Sequence, residues 1–209
     1  MYVSLLPVRL CTGTGLDFKK RKEPTAPGTW WCFRNTVTLE ELPRSLELRL
    51  AADTKYWLWV NGELQVSEGG LKRGPNPSDT YCDVITSLPA LRAGENTVAC
   101  WCGIWKRWFQ PSQFPYGRHQ FLPFLRRQGS GTRCKMASEK HPAYYVPQGE
   151  QPNYRLAESN IGFDAVKDIP FMSPDYDDKK WKKATEITLE KAGWNQLVDR
   201  PIPFWKIMG

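Results

Sequence analysis

The stretch Leu48 to Val66, LRLAADTKYWLWVNGELQV, constrains this chain more than any other: it is an apolar run broken at Asn61-Gly62. A two-residue type I′ turn needs positive φ at both central positions. Asn and Gly tolerate that best, so the dipeptide between two β-rich segments predicts a hairpin. Tyr56, Trp57, Leu58, Trp59 and Val60 leave no polar face before the turn, which predicts a strand covered on both sides and not an edge. A two-residue loop pairs Val60 with Glu63, Trp59 with Leu64 and Trp57 with Val66. Trp57, Trp59, Leu64 and Val66 then share one face and are assigned to the core, while Tyr56, Leu58, Val60, Glu63 and Gln65 share the other. A one-residue bulge in the second strand would exchange Leu64 and Val66 for Gln65.

The 209 residues, 41% of them apolar and 13% aromatic, can bury one large β-domain with extensions. Seventeen prolines and sixteen glycines, scattered along the chain, suit many short strands joined by turns and argue against long helices. The net charge of +7 is dispersed over Lys19–Lys22, Lys72-Arg73, Lys106-Arg107, Arg126-Arg127 and Lys179–Lys183. Dispersed bases read as solvated loops and strand ends, so no nucleic-acid partner is expected. Cysteines at 11, 32, 82, 100, 102 and 134 lack the CxxC pairs of a zinc site and are expected as free buried thiols. No membrane span is visible. The apolar start is interrupted by Pro7 and Arg9 and makes a poor signal peptide. As it stands the chain reads as cytoplasmic; a longer natural N-terminus would make it periplasmic or secreted.

In order, residues 1–29 form an N-terminal extension with a short strand over 2–10, and 30–195 hold the body of the domain. Trp30–Leu39 and Ser45–Ala51 alternate as strands, the second with Leu46, Leu48 and Leu50 inward. The long loop SEGGLKRGPNPSD follows the hairpin, then strands at Tyr81–Leu88 and Asn96–Ile104, the latter with Val98, Cys100 and Cys102 on one face. Lys106–His119 is an aromatic-rich loop. Phe121–Arg126 and Thr132–Ala137 flank Gly129-Ser130-Gly131 as a second hairpin. Ile161–Val166 reads as a strand, and Tyr176–Ala184 as one helical turn capped by Asp177 or Asp178. Residues 196–209, with Arg200-Pro201-Ile202-Pro203, read as an extended linker.

Several of these landmarks carry a family resemblance. Ala52-Asp53-Thr54-Lys55-Tyr56 with Leu58-Trp59-Val60-Asn61-Gly62, Arg73-Gly74-Pro75 with Asp79, Tyr81 and Asp83, and Gly94-Glu95-Asn96 form an ordered set. Gln151-Pro152-Asn153-Tyr154-Arg155-Leu156, Phe163-Asp164-Ala165, Asp177-Asp178 with Trp181, and Arg200-Pro201-Ile202-Pro203 extend it. From about Trp30 to Phe204 the chain resembles the N-terminal, galactose-binding-like region of bacterial α-L-rhamnosidase-type glycoside hydrolases. The resemblance implies an all-β, jelly-roll β-sandwich with long loops and few short helical turns. It also implies a partner, a downstream (α/α) barrel that carries the catalytic carboxylates and is missing from this chain. The chain is then an accessory domain without activity of its own. Apolar surface is expected near Phe204-Trp205 and at one sandwich end, where that barrel would dock.

Glycoside hydrolysis needs two carboxyls roughly 5 to 10 Å apart, and nothing in the spacing of the acids here selects a pair. His119 and His141 lie in loops without a nucleophile motif. Carbohydrate binding asks for aromatic faces with planar hydrogen-bonding groups at their rim. The candidates are Arg73 and Asp79 in one long loop and Trp105, Trp108, Tyr116, Arg118 and His119 in the other, for a glycan that could contain rhamnose. The same aromatics could instead pack against the missing domain. A stand-alone lectin-like module is the alternative function, and a basic nucleic-acid-binding domain, which would need the dispersed bases to converge in a positive groove, ranks behind it. No cofactor is expected. A structural calcium, held by carbonyls and Asp side chains as in sandwich modules of this type, stays open, although no loop holds a dense acidic set.

Overall fold

The computed structural model describes residues 9–12, 29–44, 46–52, 55–70, 75–76, 79–104, 121–125, 136–147, 161–188 and 195–205. Its strands are β1 (Arg9–Thr12), β2 (Thr29–Leu39), β3 (Leu48–Ala52), β4 (Tyr56–Val60), β5 (Glu63–Gly69), β6 (Thr80–Ile85) and β7 (Gly94–Ile104). They continue as β8 (Phe121–Leu125), β9 (Ala137–Lys140), β10 (Tyr144–Tyr145), β11 (Gly162–Phe163), β12 (Lys182–Lys183), β13 (Thr185–Thr188) and β14 (Leu197–Asp199). One six-stranded sheet runs β13-β1-β8-β3-β6-β14, a second runs β12-β9-β2-β7-β4-β5, and β10 with β11 makes a ribbon. The pairing of β14 with β6 is parallel and the other pairings are antiparallel. The fold is an all-β sandwich, as the sequence predicts. Among the described residues its helical content is one 3-10 turn, Ala165–Lys167.

The core between the sheets follows strand alternation. Leu48, Leu50 and Ala52 of one sheet meet Trp31, Phe33, Tyr56, Leu58, Val60, Val98, Cys100 and Cys102 of the other. Alternate residues on one face of each strand are thereby removed from water, at roughly 25 cal/mol per Å² of apolar surface. Leu46 packs against this core from outside β3.

The Asn61-Gly62 hairpin forms with φ of 52° and 84° at its two central residues. Val60 faces Glu63 and Trp59 faces Leu64, as the turn requires, but Leu58 faces Val66. The bulge at Gln65 turns Val66 into the inter-sheet core beside Leu58 and leaves Leu64 outside, 40% exposed. Trp57 and Trp59 correct the sequence reading. They lie on the outer face of their sheet, half-buried, while Tyr56, Leu58 and Val60 fill the inter-sheet core. β4 is interior, between β5 and β7, and both its faces are covered.

What covers the outer face is a third layer. Phe171, with Ile169, Met172, Tyr176 and Trp181, packs on Cys32, Ala99, Trp59 and Trp101. Arg34, 2% exposed, fastens that layer from β2. Its guanidinium donates to Phe171 O, to Ser173 O at 2.8 Å, to Tyr176 O at 3.2 Å and to Asp178 Oδ2 at 3.0 Å. Residues 176–184 make a turn, with Lys179 N donating to Asp177 Oδ1 and Trp181 N to Asp178 O, and pass into β12 without a helix.

The turn of the other predicted hairpin and most of its second strand, residues 126–135, lie outside the described residues. β8 lies between β1 and β3 in one sheet, and β9 lies beside β2 in the other. Within the segment predicted as a linker, Leu197–Asp199 is docked as β14 and the chain bends at 201–202. Cys32, Cys82 and Cys100 are free and buried and Cys102 is buried as well, while the side chains of Cys11 and Cys134 lie outside the described residues.

Candidate functional site

Of the residues singled out for sugar binding, Asp79 is described, and Arg73, Trp105, Trp108, Tyr116, Arg118 and His119 lie outside the described residues. Asp79 precedes β6 and is 4% exposed. Its carboxylate accepts from Asn76 Nδ2, from Asn195 Nδ2 at 3.0 Å and from Gln196 Nε2 at 3.0 Å. The Gln196 and Asn76 amides, with Asn195, hold the carboxyl below its usual range. Both oxygens are thus committed to joining the 76 turn to the residues that enter β14.

Four residues further, Asp83 points from β6 into the inter-sheet core and is 0% exposed. Such a carboxylate must be paired or neutralised. Tyr56 of the facing sheet donates its hydroxyl to Asp83 Oδ2 at 2.7 Å, and Gly70 N donates to the same oxygen at 2.7 Å. Arg200 Nη1 approaches Oδ1 at 3.2 Å, its side chain 5% exposed. Burial, with the Asp83 charge beside it, pushes the Tyr56 phenol well up, so the hydroxyl remains a donor.

Arg200 also sets the path of the chain beyond β14. Its Nε donates to Ile202 O at 2.8 Å and its Nη2 to Pro203 O at 3.1 Å, and its guanidinium lies over the Phe204 ring at 4.8 Å. Phe204 packs against the core edge, whereas Ile202 is 53% and Trp205 73% exposed. Apolar surface therefore stands where the sequence reading expects it. Val84, Asp199 and residues 200 and 202–204 line a shallow concavity there.

On the outer face, Trp30 stacks on Trp101 with centroids 4.1 Å apart, and Trp57 and Tyr144 close around them. His141, 3% exposed, packs edge-on against Tyr144 and Phe171. Its Nδ1 accepts from Ala143 N at 3.3 Å, so the neutral ring carries its proton on Nε2, 3.5 Å from Asp168 Oδ1. Burial lowers its pKa, and the Asp168 carboxylate opposes that shift. The nearby Cys32 thiol is pushed well up by burial, with Glu139 and Asp168 adding to the shift, which makes it a poor nucleophile. Among the described residues no group of three or more His, Cys, Asp or Glu side chains is placed to hold a metal.

Sequence reasoning passed over Arg34, Tyr56 and His141 as polar groups of the interior. Arg34 carried a readable signal, since it falls on the same alternating face as Trp30 and Cys32. A cation in register with buried residues calls for buried acceptors.

The sequence matches no family profile and no curated protein. The fold, in contrast, matches solved structures. The GH78 family rhamnosidase of Bacillus sp. GL1 is similar over 94% of this chain and 20% of its own, with a TM-score of 0.69 at 22% identity. The α-L-rhamnosidase of Dictyoglumus thermophilum matches over 85% of this chain and 19% of its own, with 0.56 at 17% identity. That of Aspergillus terreus matches over 87% and 21%, with 0.57 at 14% identity, so the likeness extends to a fungal enzyme. This chain has the fold of one region of α-L-rhamnosidases and spans about a fifth of the length of the structures it matches.

Proposed function

We propose that this chain is a non-catalytic β-sandwich domain of an α-L-rhamnosidase-like glycoside hydrolase, supporting and docking against the part of the enzyme that performs hydrolysis. The observation that carries this reading is how the acids are used. Glycoside hydrolysis requires a carboxyl pair flanking an open cleft, one member protonated by virtue of a raised pKa. The buried carboxylates Asp79 and Asp83 are consumed by internal donors, and Asp178 and Asp199 pair with Arg34 and Arg49. Among the described residues the two shifted carboxyls, Asp79 and Asp164, are both lowered, opposite to what a general acid needs. The exposed Ile202 and Trp205 supply the docking side of the reading. The purified chain is expected to release no more chromophore from an aryl α-L-rhamnoside than buffer does. Hydrolysis above buffer that vanishes on heat unfolding would overturn it.

A carbohydrate-recognition role is the second reading, favoured by an exposed aromatic ring on the β10/β11 ribbon.

A further inference from the structure

The β10/β11 ribbon and the 3-10 turn after it concentrate exposed apolar surface: Tyr145 is 51%, Phe163 48% and Val166 95% exposed. The ribbon itself is anchored. Tyr144, opposite Phe163, turns inward against Trp30 and Trp101, and Asp164 N donates to Ala143 O at 2.9 Å. Tyr145 stands opposite Gly162, and its ring covers that residue. A Cβ on Gly162 would meet Tyr145 Cζ at 2.4 Å, Cε2 at 2.5 Å and Cε1 at 2.8 Å. Three neighbouring ring atoms at such similar distances mean that the ring lies face-on over the backbone. One ring face is seated on glycine, and the ring is half exposed.

Beside it stands a charged pair. Asp164 caps the 3-10 turn, its Oδ1 accepting from Val166 N at 3.1 Å, and its Oδ2 lies 2.7 Å from Lys167 Nζ. Asp164 raises the Lys167 pKa, and Tyr145 lies near enough that its ionised phenol would add to that shift. A stable protein partner needs about 800 Å² from each side, and three side chains offer roughly a quarter to a half of that. A flat, pre-seated ring with a carboxylate and an ammonium at its rim instead matches the demands of one sugar ring.

We propose that Tyr145, seated on Gly162 and rimmed by Asp164 and Lys167, is a subsite for a single pyranose of the 6-deoxyhexose class. The C–H face of the sugar stacks on Tyr145, and its hydroxyls meet the Asp164–Lys167 pair. The choice of sugar class rests on the rhamnosidase-like reading above; the platform rests on the geometry alone.

The test is titration of the purified chain with methyl α-L-rhamnopyranoside and methyl α-L-mannopyranoside, which differ only in the C6 hydroxyl, followed by ligand-observed NMR. Wild type is expected to bind the rhamnoside, and the mannoside about three- to tenfold more weakly. Y145A and G162A, the second by lifting the ring from its seat, are each expected to weaken binding about tenfold, while Y145F stays within about twofold. Thermal melts establish that the variants are folded. The absence of rhamnoside binding at tens of millimolar, or binding that Y145A leaves unchanged, overturns the subsite. Either result leaves the non-catalytic reading standing, because that reading falls only with rhamnoside hydrolysis by the chain itself.

Discussion

Replacing Arg200 with Met removes the cation from a pair whose carboxylate, Asp83, has no exposed surface. Breaking a buried pair from one side costs about 3–5 kcal/mol, because the remaining charge is stranded. Two donors survive here, the Tyr56 hydroxyl and Gly70 N, so the lower end, about 3 kcal/mol, is expected. For a chain of this size a urea m-value of roughly 2–3 kcal/mol/M turns that into a midpoint lower by about 1–1.5 M. The location of the loss is also specified. Arg200 N donates to Cys82 O and Thr80 N to Gln196 O along the β14–β6 edge, so these amides should exchange faster even where the global midpoint falls less than expected. The D83N and R200M single mutants and their double mutant separate pairing from packing. A coupling of about 2 kcal/mol or more is expected between side chains in such contact. Single losses below about 1 kcal/mol that add in the double mutant, with unchanged exchange at β14, would refute the view that this pair locks the exit strand.

Tyr56→Phe deletes a donor to the same carboxylate without changing ring volume, and denaturant melts should show a loss of about 1.5–3 kcal/mol. Arg34→Met strips the outer layer of its fastening to four acceptors. A loss of about 3–5 kcal/mol is expected, with a red-shifted tryptophan emission as Trp59 and Trp101 gain water. Asp79, whose pKa is lowered by its amide partners, contributes stability that is complete above the ordinary carboxyl range near pH 4 and is lost as pH falls through its depressed value. Asp79→Asn should therefore lower the Tm at pH 7 and differ progressively less from wild type as pH falls through the depressed value, below which both side chains are neutral. Burial pushes the Cys82 thiol up to about 12 and those of Cys32 and Cys100 well up, so peptide mapping after maleimide treatment at pH 8 should find these three unlabelled until the chain is unfolded.

The sandwich was legible because strand alternation is a local signal with a global consequence. Leu48 and Leu50, or Val98, Cys100 and Cys102, can share a face only by pointing into the same core. The sense of a face was less legible. The run Tyr56–Val60 is apolar on both sides, and nothing in it tells which side meets the second sheet and which the layer of residues 169–181. Assigning Trp57 and Trp59 to the core followed from hydrophobicity, and a third layer supplied by distant sequence reversed it. The pairing of β8 was not legible for a related reason. Glycines between two apolar runs permit a turn, but the partners of β8 are β1 and β3, fixed by contacts far apart in sequence.

Sites are harder to read than faces, because a side chain's availability depends on what it is already bonded to. Asp79 and Asp83 look alike in sequence, two acids four residues apart in the run Asp79–Asp83. One is held by three amides from residues 76, 195 and 196, and the other by a tyrosine from the facing sheet and an arginine over a hundred residues away. Neither is free for chemistry, and only the long-range partners reveal it. Tyr145 runs the opposite way. In sequence it is the second of two adjacent tyrosines, indistinguishable from Tyr144. The period-two alternation of β10 sends one ring into the aromatic layer and lays the other on Gly162, half exposed. The glycine is what makes the ring a platform. Any larger residue at 162 would have to displace the ring from its seat, so the pair Gly162 and Tyr145, rather than the tyrosine alone, is the unit on which recognition would turn.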